Sequence, residues 1–342
     1  MRYLQTRPSR FFIASLALVA AGGCGDSTSP GEPEDPGVSI LPAAYYSGSL
    51  VWTRDGTGLV YVVRTTVNAT EAALLRVLSI SEGTVRQLDV FPPIGGLVRS
   101  PAGERVYFGN SISPPSGSTD NYQISRVHPT SGFLEIVATT RAGDFAVSSD
   151  ERFLAVGRYL YDLQTGARIT LATGIPIDFS PDGTQLLYYP FSSSSPTLIA
   201  TADGTSRPLH STGLHIAHRW QGNSPQLLEV DDNFEGTVHV SEIDGVTGAT
   251  ISLGQIPGHS FFPAANWSPD GRVLAIWVTL GPLDGPTREY LYLIRDGNAP
   301  AILANTSGAP GRPIFSPDGH SVAYFNYRQE TDQWGLYLKS GI

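Results

Sequence analysis

The chain has 342 residues, of which 41% are hydrophobic and 15% charged, with 37 glycines and 26 prolines. That length holds one large all-β core or two ordinary domains, and the glycine, the proline and short bursts of Tyr, Phe, Val and Thr favour many short strands joined by tight turns. A formal charge of −9, with Lys339 the only lysine, excludes a nucleic-acid partner, because phosphate binding needs clustered Lys and Arg.

The amino terminus reads as an export signal. Arg2, Arg7 and Arg10 form a basic start with no acid among them, and residues 11–21 are an apolar run too short to span a bilayer. Ala21, Gly22 and Gly23 then lead into Cys24. Small residues directly before a cysteine resemble the lipobox of bacterial lipoproteins, although Ala21 occupies the place where a Leu commonly stands. The resemblance implies a signal peptide over 1–23, cleavage before Cys24, and acylation of its thiol and new amine. Read as an ordinary cleaved leader, the same segment would leave Cys24 incidental. Cys24 is the only cysteine, so it has no internal disulfide partner, and lipidation would block a thiol that is a liability in an oxidising compartment. Loss of 1–23 leaves 19 basic against 31 acidic residues, a charge of −12.

Residues 25–37, GDSTSPGEPEDPG, carry almost no apolar side chain and cannot bury enough surface to fold. They are expected to tether residues 38–342, a single domain, to the lipid. At full extension they reach at most about 45 Å.

Beyond the tether one unit recurs. FSPDGTQLLYY from Phe179, WSPDGRVLAIW from Trp267 and FSPDGHSVAYF from Phe315 are strong copies, and weaker ones begin at Trp52, Arg99, Val147 and Trp220. Their starts lie 47, 48, 32, 41, 47 and 48 residues apart, near the period of a propeller blade. Leu41, Leu88, Ile136 and Leu209 each lie 11 residues ahead of the next start, which fixes the frame. Each unit reads as four strands: a short one into the motif, a mostly apolar one after it as expected of a strand covered on both faces, then a third and a fourth.

The predicted fold is therefore all-β, a β-propeller of four-stranded antiparallel blades. Seven blades are expected, or six if the 32-residue unit from Val147 fuses with a neighbour. The last unit lacks a fourth strand, and residues 38–41 precede the first unit without one of their own. The amino-terminal strand is thus expected to close the last blade.

Within the motif every residue has a conformational task. In Trp267, Ser268, Pro269, Asp270 and Gly271 the proline fixes φ, the aspartate accepts from nearby amides and the glycine takes positive φ. Asp182 with Gly183, and Asp318 with Gly319, repeat the arrangement. A catalytic Ser and Asp would occur once and would need a histidine and an oxyanion site. These units resemble the WD40-like repeats of the TolB-type propeller, found also in prolyl-oligopeptidase-type peptidases and some polysaccharide lyases. The resemblance implies fold far more than activity. Between Cys24 and Val38 no room is expected for the extra α/β domain that TolB carries ahead of its propeller, and no G-x-S-x-G elbow of the peptidases is present.

Candidate ligand contacts lie where the loops entering first strands and those joining second to third strands gather: Tyr45, Tyr46, Arg141, His215, His218, His259, Phe261, Phe262 and Arg312, with Asp231, Asp232 and Phe234 in a crossing loop. His215, His218 and His259 are the metal candidates, since some lyases with this repeat hold a divalent metal through histidines. No H-E-x-x-H or spaced Cys set supports them. The expected function is a non-catalytic, monomeric, lipid-anchored propeller without a cofactor, binding a protein, peptide or glycan at the bacterial cell envelope, on its periplasmic or extracellular face. The alternative is a propeller lyase or hydrolase acting on acidic polysaccharide. The acidic net charge opposes a polyanionic substrate unless a metal or local arginines reverse the field.

Overall fold

The computed structural model describes residues 38–342 apart from 42–45, 68–69, 93, 100–103, 114–119, 142, 194, 212–213, 233–236, 258–263, 281–287, 296–299, 307–310 and 329–332. Among the described residues the regular elements are all strands, arranged as seven four-stranded antiparallel sheets. Numbered in chain order, blades 1 to 7 begin with Tyr46–Trp52, Ile94–Arg99, Phe145–Val147, Gly174–Phe179, Leu214–Gln221, Ala265–Trp267 and Ile314–Phe315. First strands of successive blades approach one another at six of the seven junctions, which sets them around a common axis. The result is a seven-bladed β-propeller. The short unit from Val147 belongs to a complete blade of its own, with strands Phe145–Val147, Phe153–Val156, Tyr159–Asp162 and Arg168–Thr170, so the six-blade alternative falls.

The apolar second strands explain why the sheets stack. In blade 1, Leu59, Val60, Tyr61 and Val62 are all buried, so both faces of Gly58–Val67 are covered. Each such side chain contributes about 1.5–3 kcal/mol on burial. The core is consequently divided into clusters at the seams between blades. Among the described residues the seam between blades 4 and 5 has the smallest one, with Leu187, Leu198, Leu209 and Leu227 buried and Ile177, Trp220 and Val246 packed beside them.

The recurring turn is closed by its own side chains. Ser268 Oγ donates to Asp270 Oδ1 at 2.6 Å and accepts from the Val273 amide at 2.9 Å, while Asp270 Oδ1 also accepts from the Arg272 amide. Gly271 has φ +70°, a conformation that costs glycine nothing. The same bonds recur at Ser180 with Asp182, Ser148 with Asp150, and Ser316 with Asp318. With its hydroxyl used twice, Ser268 is a structural residue of the turn.

Blade 7 takes its outer strand from the other end of the chain. Val38–Leu41 pairs antiparallel with Gln333–Ser340, and Ile40 packs against the cluster that holds Leu336 and Leu338.

Candidate functional site

Six blades close their first hairpin in one register. The last first-strand residue pairs with the residue seven positions on: Trp52 with Leu59, Arg99 with Val106, Val147 with Leu154, Phe179 with Leu186, Trp267 with Leu274, and Phe315 with Val322. Blade 5 departs. There His218 pairs with Leu227, a buried leucine matched to Ile243 as Leu274 is to Ile294, and the ladder runs on through Trp220 with Pro225 to Gln221 with Ser224. Gly222, at φ +59°, and Asn223 make the two-residue turn that such an extended hairpin requires. The copy from Trp220, expected to share the frame of the others, is thus a longer hairpin, and the structural counterpart of Trp267 in it is His218.

Among the described residues this extension coincides with the thinnest seam. Inner strands approach closely at the other six blade junctions and least between blades 4 and 5. Side chains bridge that junction: His218 Nε2 donates to Asp178 Oδ2 at 3.0 Å and Trp220 Nε1 donates to the same oxygen at 3.1 Å. Asp178 Oδ1 accepts from the Phe179 amide. At the hairpin tip, Asn223 Nδ2 donates to Asp182 Oδ2 at 2.7 Å, tying blade 5 to the turn of blade 4.

A cavity of about 670 Å³ opens here, at the end of the ring where the S-P-D-G turns lie. Blades 3 to 6 line it, with Asp178, His218, Trp220, Asn266, Trp267 and Asp270 among its walls. Arg219 braces one side: its guanidinium forks onto the buried Glu242 carboxylate, lies 4.8 Å from the centre of the Trp267 ring, and donates to the Gly271 carbonyl. Its charge is therefore matched within the wall. Trp267 is 7% exposed, and its Nε1 has no acceptor, whereas the equivalent Trp52 donates to the Ile314 carbonyl.

Arg312, just ahead of Ile314–Phe315 in blade 7, is exposed. Desolvation by nearby protein still pushes its guanidinium below the ordinary value, and the Asp178 carboxylate pulls the other way.

Of the residues expected at a ligand site, His218 lines this cavity, which lies at the opposite end of the blades from the loops where the site was expected, and Arg312 is not among its walls. Arg141 is exposed and lies 3.6 Å from Asp120. Tyr46 and His215 are placed by backbone, in Tyr46–Trp52 and Leu214–Gln221, with His215 opposite Glu229. Asp231 and Asp232 lie in Ser224–Asp232. Tyr45, His259, Phe261, Phe262 and Phe234 lie outside the described residues. Among the described residues no three side chains of metal-binding type converge. Sequence reasoning passed over Asp178, Trp220, Asn266 and Trp267, treating the tryptophans as turn markers. The available signal was WQGNSPQ itself, where the repeat loses its S-P-D-G.

No known protein family's sequence profile matches the chain. A probable dipeptidyl-peptidase 5 of Aspergillus niger is 34% identical over 93 residues, a match spanning 21% of this chain and 12% of that peptidase. Among solved structures, an oligogalacturonate lyase in complex with manganese is 14% identical with a TM-score of 0.65, covering 89% of this chain and 92% of the lyase. The oligogalacturonate lyase of Vibrio parahaemolyticus is 12% identical with a TM-score of 0.65, over 88% and 92%. TolB of Acinetobacter baumannii is 17% identical with a TM-score of 0.46, over 83% and 81%. The likeness to the two lyases reaches the propeller fold and nothing finer.

Proposed function

We propose that this chain is a lipid-anchored, non-catalytic propeller of the bacterial cell envelope that binds a protein, peptide or glycan in the cavity between blades 3 and 6. One observation carries the reading. Six hairpins keep one register for stability, and the seventh gives it up at the seam where a cavity opens and side chains from two blades converge. Local departures from a repeat's own rule mark the places where a fold serves a ligand. The anchor rests on Cys24 following Ala21, Gly22 and Gly23.

Fractionation tests the anchor. The wild type should partition with membranes and carry acyl mass on Cys24, and Cys24→Ala should be soluble and folded; a wild type without acyl mass ends this part of the reading. Peptide and glycan arrays test the cavity. Ligands retained by the wild type should be lost from His218→Ala and Trp220→Ala but kept by Phe133→Ser, a change at an exposed side chain of blade 2. Equal retention by all four proteins overturns the site.

A second reading has its own support. His218, Asp178 and Arg312 together offer a histidine held by a carboxylate and a nearby cation, and solved oligogalacturonate lyases, one with manganese, share the fold. In it the chain is a lyase or hydrolase of acidic polysaccharide, with a metal on His215, His218 and His259. Oligogalacturonate supplied with manganese should then yield unsaturated or hydrolysed products, and His218→Ala should abolish them. Turnover by the wild type would replace the binding reading.

A further inference from the structure

We infer that the cavity at the seam of blades 4 and 5 takes an uncharged sugar ring, an inference that rests on the binding reading above and narrows it. Sugar recognition needs two things side by side: an apolar surface for the C–H face of the ring, and planar polar groups that can serve neighbouring hydroxyls. Trp220 supplies the first. Part of its indole packs on the small cluster of Leu187, Leu198, Leu209 and Leu227, and the side chain also lines the cavity. Asp178, Asn266 and Asp270 supply the second.

Charge decides which class of ligand fits. The Asp178 side chain is 36% exposed and that of Asp270 is 55% exposed, so two carboxylates face the site; Arg272 lies 3.8 Å from Asp270 on the solvent side, Arg312 is not among the cavity's walls, and the Arg219 guanidinium is spent on Glu242. An anionic sugar or acidic peptide would meet these carboxylates with like charge. A primary ammonium fares little better. The two oxygens of Asp178 have about four acceptor positions, and three bonds, from His218, Trp220 and the Phe179 amide, already occupy them. One position remains, which suits a single hydroxyl and leaves most of an ammonium unserved. A neutral ring asks for neither a counter-charge nor more acceptors.

The test uses the detergent-solubilised full chain and defined probes: cellotriose, maltotriose, mannotriose, xylotriose and tri-N-acetylchitotriose as neutral sugars, trigalacturonate as the acidic one, and an acidic and a basic hexapeptide. Tryptophan fluorescence and saturation-transfer NMR report binding. At least one neutral trisaccharide should bind saturably and more tightly than trigalacturonate or either peptide. Trp220→Ala and Asp178→Asn should each weaken it at least about tenfold, while Phe133→Ser leaves it unchanged. Trp220→Phe, which keeps an apolar ring and the fold, should lose less than Trp220→Ala.

If none of the neutral probes binds, or trigalacturonate or a peptide binds best and is lost in the same variants, the sugar inference is wrong; in the latter case the cavity survives as a binding site. If a neutral sugar binds but none of the cavity variants affects it, both the inference and the site fall.

Discussion

Val38 is paired with Leu338, so the strand nearest the start of the described chain and the strand at its end lie in one blade. Ser39 with Tyr337 and Leu41 with Leu336 continue the ladder. A ring closed this way has no three-stranded blade with a free edge at its junction, and Leu336, buried in the seam of blades 7 and 1, is kept from water.

That relationship predicts how truncation behaves. Deletion of residues 25–37, polar by composition, should leave the melting temperature unchanged, since pairing begins at Val38. Deletion of 25–41 should cost several kcal/mol, the scale of an unpaired strand plus the exposure of the apolar side chains, Leu336 and Leu338 among them, that Ile40 packs against. Thermal or urea melts of the two proteins decide it. Equal stability would mean that the clasp contributes nothing.

The turn residues predict a pattern of stability without a pattern in function. Ser268→Ala leaves the Val273 amide without its side-chain acceptor in a buried position and should cost about 1–3 kcal/mol. Gly271→Ala should cost at least as much. Its φ of +70° disfavours a side chain, and an added Cβ would collide with Nη1 of Arg219. A serine-directed fluorophosphonate should leave Ser268 unlabelled in the wild type. Labelling there would contradict the structural role of the hydroxyl.

The repeat made the architecture legible because its turn residues are chosen by backbone conformation, which sequence displays directly. Pro269 fixes one φ and Gly271 needs another, so the spacing of such residues reported the blades. The 11-residue offset of Leu41 and Leu88 reported the strand before each one, and the missing last strand reported the clasp. The cavity was hidden for the complementary reason. Asp178 precedes a strong copy of the motif and differs from Asn266 in the same place by one atom type, so nothing in its own segment marks it. Its meaning comes from His218 and Trp220 on another blade. Trp220 aligned with Trp267 in sequence, while the register sets His218 there instead. A two-residue change of hairpin length cannot be told from a degenerate turn until the pairing is known.

Glu151 offers a separation of backbone and charge. It sits where other copies have glycine, at φ +58°, and Tyr107 donates to its carboxylate at 3.1 Å with Arg105 and Arg126 each 3.5 Å away. Left-handed backbone costs a non-glycine residue about 1–2 kcal/mol. Glu151→Ala and Glu151→Gly lose the same contacts with blade 2 and differ in backbone freedom alone. Glu151→Gly should therefore be the more stable by about 1 kcal/mol, and both should fall below the wild type if the contacts outweigh the strain. Urea denaturation of the three proteins measures each term. Equal stability of the two variants would show that φ is relaxed in solution.

Acid should loosen the ring through the turn carboxylates. Hydrogen bonds from Ser180 and from the Thr184 amide, helped by Asn223 at the tip of the long hairpin, hold Asp182 down to about 2. The unfolded chain takes up that proton near a pKa of about 3.9. Between about pH 4 and about pH 2 the unfolded state therefore binds more protons than the folded one, and stability falls as pH falls through this window. Above it the contribution is complete and flat. Asp182→Asn should lower the melting temperature at neutral pH, where the ionised acceptor is lost, and flatten the fall on acidification. Asp182 is exposed, so added salt should shrink both effects. Melting curves from pH 7 to pH 2 test the slope. An Asp182→Asn profile parallel to the wild type throughout would assign the acid sensitivity to other carboxylates, Asp162 and Asp244 first, since both are also held at about 2.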